Sequence, residues 1–247
     1  MRTARTFVAL AAGLLACSTA ASAAVVNGYN WDNVFTGDQI PLTTDSNWSV
    51  NTPSGSVSHV DPGTITLDSD VDGSVYIDSN IWAPANNATP TAEFKVKIER
   101  FNDGEESGTT LNVMDSTDGG MQLLLRSGRI AVLDNNGVTD NLYSVDTTQY
   151  HVYRVALNTT TATYSIYVDD MNTPVVVGQP LHTGLAYEVL RIGDPGSNTG
   201  GKATFEYVAF NNSTAPTPVP EPAIGLLVMA FAGAATLGRR RRAAKIA

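Results

Sequence analysis

The chain has 247 residues, 43% of them hydrophobic, and its 15 basic against 24 acidic residues give a net charge of -9. Residues 24–212 alone hold 8 basic and 23 acidic residues, a balance of -15. That charge excludes a protein that tracks a phosphate backbone, and it excludes docking of this stretch on anionic lipid. The many β-branched and aromatic residues exclude general disorder, and the length fits one domain with its own core.

The first expected element is an export signal. Arg2 and Arg5 precede the apolar run 7–17, and Ala21-Ser22-Ala23 offers small residues to a signal peptidase. Residues 1–23 therefore read as a signal peptide, with Ala24 opening the mature chain outside the cytoplasm. Cys17, the only cysteine, lies inside the signal. A lipoprotein signal ending at Cys17 competes with this reading, but a second site of small residues follows it at once. After ordinary cleavage no thiol remains, so stability rests on packing rather than on disulfides.

Residues 24–212 read as β throughout. Residues 64–68 and 74–78 are short alternating strands, and 92–100 is the clearest strand of all. There Ala92, Phe94, Val96 and Ile98 share one face, while Glu93, Lys95, Lys97 and Glu99 share the other. Strict period two predicts an antiparallel strand with one face in the core and a solvated, charge-balanced face outside. Residues 109–114, 121–126 and 129–133 form a middle group, with Ser127-Gly128 turning directly between the last two. Residues 151–158 place Tyr153, Val155 and Leu157 on one face, and 162–169 do the same with Tyr164, Ile166 and Val168. Only three threonines separate these two, which predicts a hairpin. Residues 188–192 and 203–210 close the domain around a Gly-rich loop. At least ten short strands at this spacing predict an all-β sandwich.

The framework residues resemble the concanavalin A-like lectin and glucanase superfamily, which includes laminin-G-like modules. The similar stretch runs from about residue 91 to 211. It comprises Phe94-Val96-Ile98, Tyr153-Arg154-Val155, Tyr164 to Asp169, Leu190 to Asp194 and Phe205 to Phe210. The resemblance implies a jelly roll of two antiparallel sheets. Its retaining glucanases carry a Glu-x-Asp-x-x-Glu strand, and this chain has no such strand. It also has no His-Glu-x-x-His spacing and no Gly-x-Ser-x-Gly elbow. The expectation is a non-catalytic domain. A polysaccharide-cleaving enzyme with acids drawn from separate strands is the alternative, and a purely structural envelope or matrix protein is the third.

Two ligand sets are expected within this domain. Asp68, Asp70 and Asp72, ahead of Gly73, match the start of an oxygen-rich calcium loop, with Asp169, Asp170 or Asp194 as further donors. Ser79 stands where a helix-flanked calcium loop would need its closing acid, so the competing reading is a bare acidic hairpin turn. Trp31 and Trp82 are the aromatic candidates for stacking on a sugar. Tryptophans of a sandwich also serve to cap its core, and Trp48 is the third.

The last expected elements follow in order: a spacer over 213–222, an apolar helix over 223–238 and a basic tail over 239–247. The spacer holds four prolines in the nine residues 214–222 and reads as stiff and extended. A helix of 16 residues spans about 24 Å, and basic snorkelling ends can close the gap to a bilayer. Arg239, Arg240, Arg241 and Arg242 place the tail in the cytoplasm. Pro220-Glu221-Pro222, the apolar segment and this arginine cluster together resemble the PEP-CTERM sorting signal of Gram-negative bacteria. That resemblance implies a transient single-pass anchor, handling by an exosortase-like membrane protease, and an envelope or secreted destination beside exported polysaccharide. A plain single-pass anchor is the alternative. The expected partners are that protease and a glycan, with no nucleic acid.

Overall fold

The computed structural model describes residues 24–69, 73–101, 107–115, 117, 119–134, 137–185, 188–194 and 201–219. The strands in chain order are β1 (Ala24–Val26), β2 (Tyr29–Trp31), β3 (Asn33–Thr36), β4 (Trp48–Asn51), β5 (Gly55–Ser58) and β6 (Ile65–Ser69). Then come β7 (Val75–Ser79), β8 (Thr91–Arg100), β9 (Ser107–Asp115), β10 (Gly119–Arg126), β11 (Arg129–Asp134) and β12 (Gly137–Ser144). The last six are β13 (His151–Asn158), β14 (Thr163–Val168), β15 (Val176–Pro180), β16 (Val189–Asp194), β17 (Lys202–Asn211) and β18 (Thr217–Pro218).

Two antiparallel sheets form the sandwich. One has the order β12-β11-β10-β9-β16-β7-β4, and the other β15-β14-β13-β8-β17-β6-β5, with β3 extending the β6 side of β17. The ten expected strands are present, with ends shifted by a residue or two. The Ser127-Gly128 turn joins β10 to β11 with Arg126 opposite Arg129, and Gly128 takes the positive φ of 69°.

Alternation explains the core. Phe94, Val96 and Ile98 of β8, Tyr153, Val155 and Leu157 of β13, and Phe205, Val208 and Phe210 of β17 point inward. Leu111, Leu123, Ile130 and Ile192 of the seven-stranded sheet meet them. Some positions inside the sandwich tolerate no side chain. At Gly193, φ is +107° and a Cβ would sit 2.4 Å from the Val75 carbonyl oxygen. Gly193→Ala is expected to destabilise the protein by about 1–3 kcal/mol, read by urea unfolding.

Ion pairs within β8 and across to β17 occupy one end of the outer face of β8. Lys95 pairs with Glu206, and Glu99 lies 3.2 Å from both Lys97 and Lys202. Burial pushes the Glu99 carboxyl up, but hydrogen bonds from Thr204, Lys202 and Lys97 outweigh it and hold the group below its usual range. A depressed folded-state value adds stability that is present above the unfolded carboxylate value and is lost as pH falls through the folded one. Glu99→Gln is therefore expected to lose less stability than the parent between about pH 5 and pH 2, measured by urea midpoints at both pH values.

A third, three-stranded sheet, β1-β2-β18, covers the other end of that outer face. Asn27-Gly28 turns β1 into β2, with φ of 51° and 76° at the two positions, as a type I′ hairpin requires. Opposite β2, Thr217 pairs with Asn30 and Pro218 with Tyr29, and Val219 N donates to Gly28 O at 2.8 Å. Residues 217–219, inside the expected spacer, thus pair with the β1–β2 hairpin. Pro216 and Pro218 suit an edge strand that donates little to its neighbour. Among the described residues no helix is long and apolar enough to cross a membrane. The expected signal peptide, the apolar segment 223–238, the Pro220-Glu221-Pro222 motif and the four arginines lie outside the described residues.

Candidate functional site

The outer face of the eight-stranded sheet carries a row of side chains set by strand register. Glu93 of β8 lies opposite Arg154 of β13, which lies opposite Tyr167 of β14. Glu93 is 0% exposed although it belongs to the face expected to be solvated, because the three-stranded sheet lies over it. A buried carboxylate needs partners, and Glu93 has several. Arg154 Nε donates to its Oε2 at 2.8 Å and Arg154 Nη2 lies 2.7 Å from the same oxygen. Tyr207 Oη donates to its Oε1 at 2.8 Å, and the Asn27 amide also reaches it. Burial nevertheless raises the Glu93 carboxyl above its usual range, against the pull of Arg154. Burial next to Glu93 also pushes the Tyr207 phenol well up, so it stays a proton donor.

Tyr207 reaches this place through a β-bulge. The register of β17 against β8 shifts between Phe205 and Tyr207, leaving Glu206 without a partner residue. The alternation changes phase there. Glu206 and Tyr207, neighbours in sequence, then both serve the outer face. Above Arg154, the guanidinium lies 4.0 Å from the centre of the Tyr29 ring and 5.3 Å from Trp31.

Beside this network is a cavity of about 290 Å3. Its floor is Thr91, Arg154, Ala156 and Tyr167, and its sides are Tyr29, Met171 and Asn172. Its end wall is Ala215, Pro216 and Pro218, the segment that leads toward the expected sorting motif. Tyr29 Oη donates to Asn172 Oδ1 at 3.3 Å, tying β2 to the turn after β14. Among the described residues that line it, none is a carboxylate. A larger cavity of about 440 Å3 lies by β12, β14 and β15, lined by Leu142, Tyr164, three valines, Thr139 and Gln179. Among the described residues no charged group lies on its walls, so the smaller cavity is the better candidate for recognition.

The expected site residues separate. Trp82 is 2% exposed, its ring packs edge-on against Phe210 at 5.7 Å, and its Nε1 donates to Met114 O at 2.8 Å. Trp48 is likewise core, edge-on to Phe35. Trp31 is fully buried and presents no face to solvent, but it roofs the Arg154 network. Asp68 is taken by Arg100 at 2.8 Å, while Asp70 and Asp72 lie outside the described residues. Asp194 comes to this end of the fold, 3.4 Å from Ser69 Oγ. Asp169 and Asp170 do not. Asp169 follows β14, four strand steps from β6 by way of β13, β8 and β17. At about 4.8 Å per step that is roughly 19 Å, too far to share an ion. Among the described residues no group of three His, Cys, Asp or Glu side chains could hold a metal.

Each histidine has a hydrogen-bonding partner within the fold. His59 Nε2 is 2.9 Å from Ile40 O. His151 sits between Asp169 Oδ2 at 2.7 Å and Asp146 O at 3.0 Å. His182 Nδ1 accepts from Gly184 N at 2.9 Å. Hydrolysis of a glycoside needs two carboxylates about 5–9 Å apart across the bond, and the described residues of the candidate cavity include none.

Comparison with known proteins gives a likeness of fold. No protein-family model matches the chain, and no curated protein matches it by sequence. Among solved structures, a carbohydrate esterase from the Shiga toxin-encoding bacteriophage phi24B superposes with a TM-score of 0.53 at 11% identity, over 75% of this chain and 100% of that one. The cellulose-induced protein Cip1 superposes with a TM-score of 0.50 at 11% identity, over 74% and 99%. A protein of unknown function from Shewanella oneidensis MR-1 gives 0.50 at 12% identity, over 82% and 92%. At these identities the likeness is one of fold alone.

Proposed function

We propose that the protein is an exported envelope or extracellular protein whose sandwich domain binds carbohydrate without cleaving it. The observation that carries the binding role is the cavity between Tyr29, Arg154 and Tyr167, where aromatic and polar groups converge and no carboxylate lines the walls among the described residues. Sugars present apolar CH faces and hydroxyl edges, and such a mixture of groups suits them. The carbohydrate esterase named among the fold neighbours acts on the same class of molecule, which supports the reading at the level of fold.

The test is a glycan array probed with the purified mature protein, with product detection on every polysaccharide that binds. Binding without product supports the proposal. Soluble product would establish an enzyme of the same fold, and neither binding nor product would leave a structural role.

Export and sorting rest on the terminal motifs in the sequence. The PEP-CTERM-like end supports delivery to the envelope by an exosortase-like protease, with exopolysaccharide at hand as ligand. Deleting residues 220–247 is expected to change both the cell fraction and the processed mass of the protein. An unchanged fraction and mass would dismiss the sorting reading.

Calcium enters the proposal only at the turn from Asp68 to Gly73, through Asp70 and Asp72. A bound ion would raise the unfolding midpoint by mass action. Calorimetry in EDTA, in calcium and in sodium chloride of matched ionic strength decides it, and equal midpoints in the two salts would dismiss the ion.

A further inference from the structure

The kind of sugar unit follows from charge and shape at the same cavity, an argument that rests on the carbohydrate reading above. Among the described residues Arg154 is the only cation on the cavity wall. Its Nε and Nη2 both face Glu93 Oε2, at 2.8 and 2.7 Å, and its guanidinium plane is stacked on Tyr29 at 4.0 Å. The positive charge is therefore already matched inside the protein. An incoming carboxylate would meet an electrically neutral pair with the Glu93 anion directly behind it. It would also enter a domain whose charge balance over residues 24–212 is -15. An acidic sugar gains no ion pair here and is repelled at longer range.

An uncharged ring meets suitable groups. Tyr167, Met171, Pro216 and Pro218 give apolar surface for the CH face of a pyranose. The Asn172 amide stands at the side for a sugar hydroxyl. Shape limits the ligand as well. The segment Ala215 to Pro218 closes one end of the cavity, and it is held there by the β18–β2 pairing and the Val219-to-Gly28 hydrogen bond. A polysaccharide running through would have to displace that segment, whereas a chain end or a branch can enter without moving it.

We propose that this cavity takes one terminal, uncharged pyranose unit of a glycan, with the segment leading to the sorting motif as its end wall. The experiment is saturation-transfer NMR on the mature protein with the methyl pyranosides of glucose, galactose and mannose, and with glucuronate and galacturonate. At least one neutral glycoside is expected to bind, and the uronate of matching configuration to bind at least about tenfold more weakly. Tyr167→Ala is expected to weaken the neutral glycoside at least about tenfold, Tyr167→Phe to restore it, and both variants to unfold at the parent midpoint.

A uronate that binds equally well or better overturns the inference, as does neutral binding that ignores Tyr167→Ala. Binding confined to long polysaccharides, with no response to any monosaccharide, overturns the terminal-unit claim while carbohydrate binding stands. An array with no hits removes the carbohydrate reading itself.

Discussion

Arg154→Ala is expected to destabilise the protein by about 3–5 kcal/mol, as breaking one partner of a buried ion pair does. Most of that loss comes from what is left behind. Glu93, 0% exposed, would keep the Tyr207 and Asn27 hydrogen bonds but lose its counter-charge. The ring of Tyr29 would also lose the cation stacked on it. The deficit should depend on pH in a definite direction. Burial already raises the Glu93 carboxyl, and removal of Arg154 removes the largest influence opposing that rise. A group with a raised folded-state value adds stability below its unfolded value and loses it as pH rises through the folded one. The variant should therefore recover as the solution is acidified and Glu93 takes up a proton. The triple variant Glu93→Leu, Arg154→Met, Tyr207→Phe should regain most of the stability at neutral pH, since it removes the buried charges together with their partners. Urea unfolding of parent, single and triple variants at two pH values checks both statements. A single variant as stable as the parent would mean that Glu93 is solvated.

Trp82→Ala is expected to cost about 3–5 kcal/mol, the usual range for removing a buried tryptophan. The indole fills the core against Phe210, and its N–H satisfies the Met114 carbonyl. The truncation therefore opens a cavity and leaves a buried acceptor without its donor. Trp82→Phe should cost less, because it keeps most of the ring volume. Neither variant should alter glycan affinity once measured well below its unfolding temperature. Chemical unfolding and the array binding assay together check this. A stable Trp82→Ala with lost binding would restore Trp82 to the ligand site.

The sandwich was legible because its central strands alternate so regularly. In β8, β13 and β14 every residue read as inward is in the core. What could not be read was what covers the other face. Alternation says that Glu93 points away from Phe94, and nothing local distinguishes water from a third sheet above it. That sheet is built from three very short strands, Ala24–Val26, Tyr29–Trp31 and Thr217–Pro218, the last in a proline-rich run that reads as a spacer. The Asn27-Gly28 pair was the available signal for the hairpin, since that dipeptide favours the turn it makes. The bulge at Glu206 hid the role of Tyr207, because strict alternation would put Tyr207 on the face of Phe205. β12, GVTDNLYS, lies at a sheet edge and carries too little apolar alternation to be recognised. The tryptophans were ambiguous for a different reason: a large ring serves a core and a sugar equally well, and only burial separates the two.

The site is the central claim, and backbone chemical-shift mapping of the isotope-labelled mature protein tests it most directly. The titrant is whichever glycan gives the strongest array signal. Binding at the proposed cavity predicts that the largest shifts fall on Tyr29, Thr91, Arg154, Tyr167 and Asn172 and on the end-wall residue Ala215. Shifts centred instead on the outer face of the opposite sheet, where Asp78 grips Arg191 at 2.6 and 2.8 Å, would contradict it.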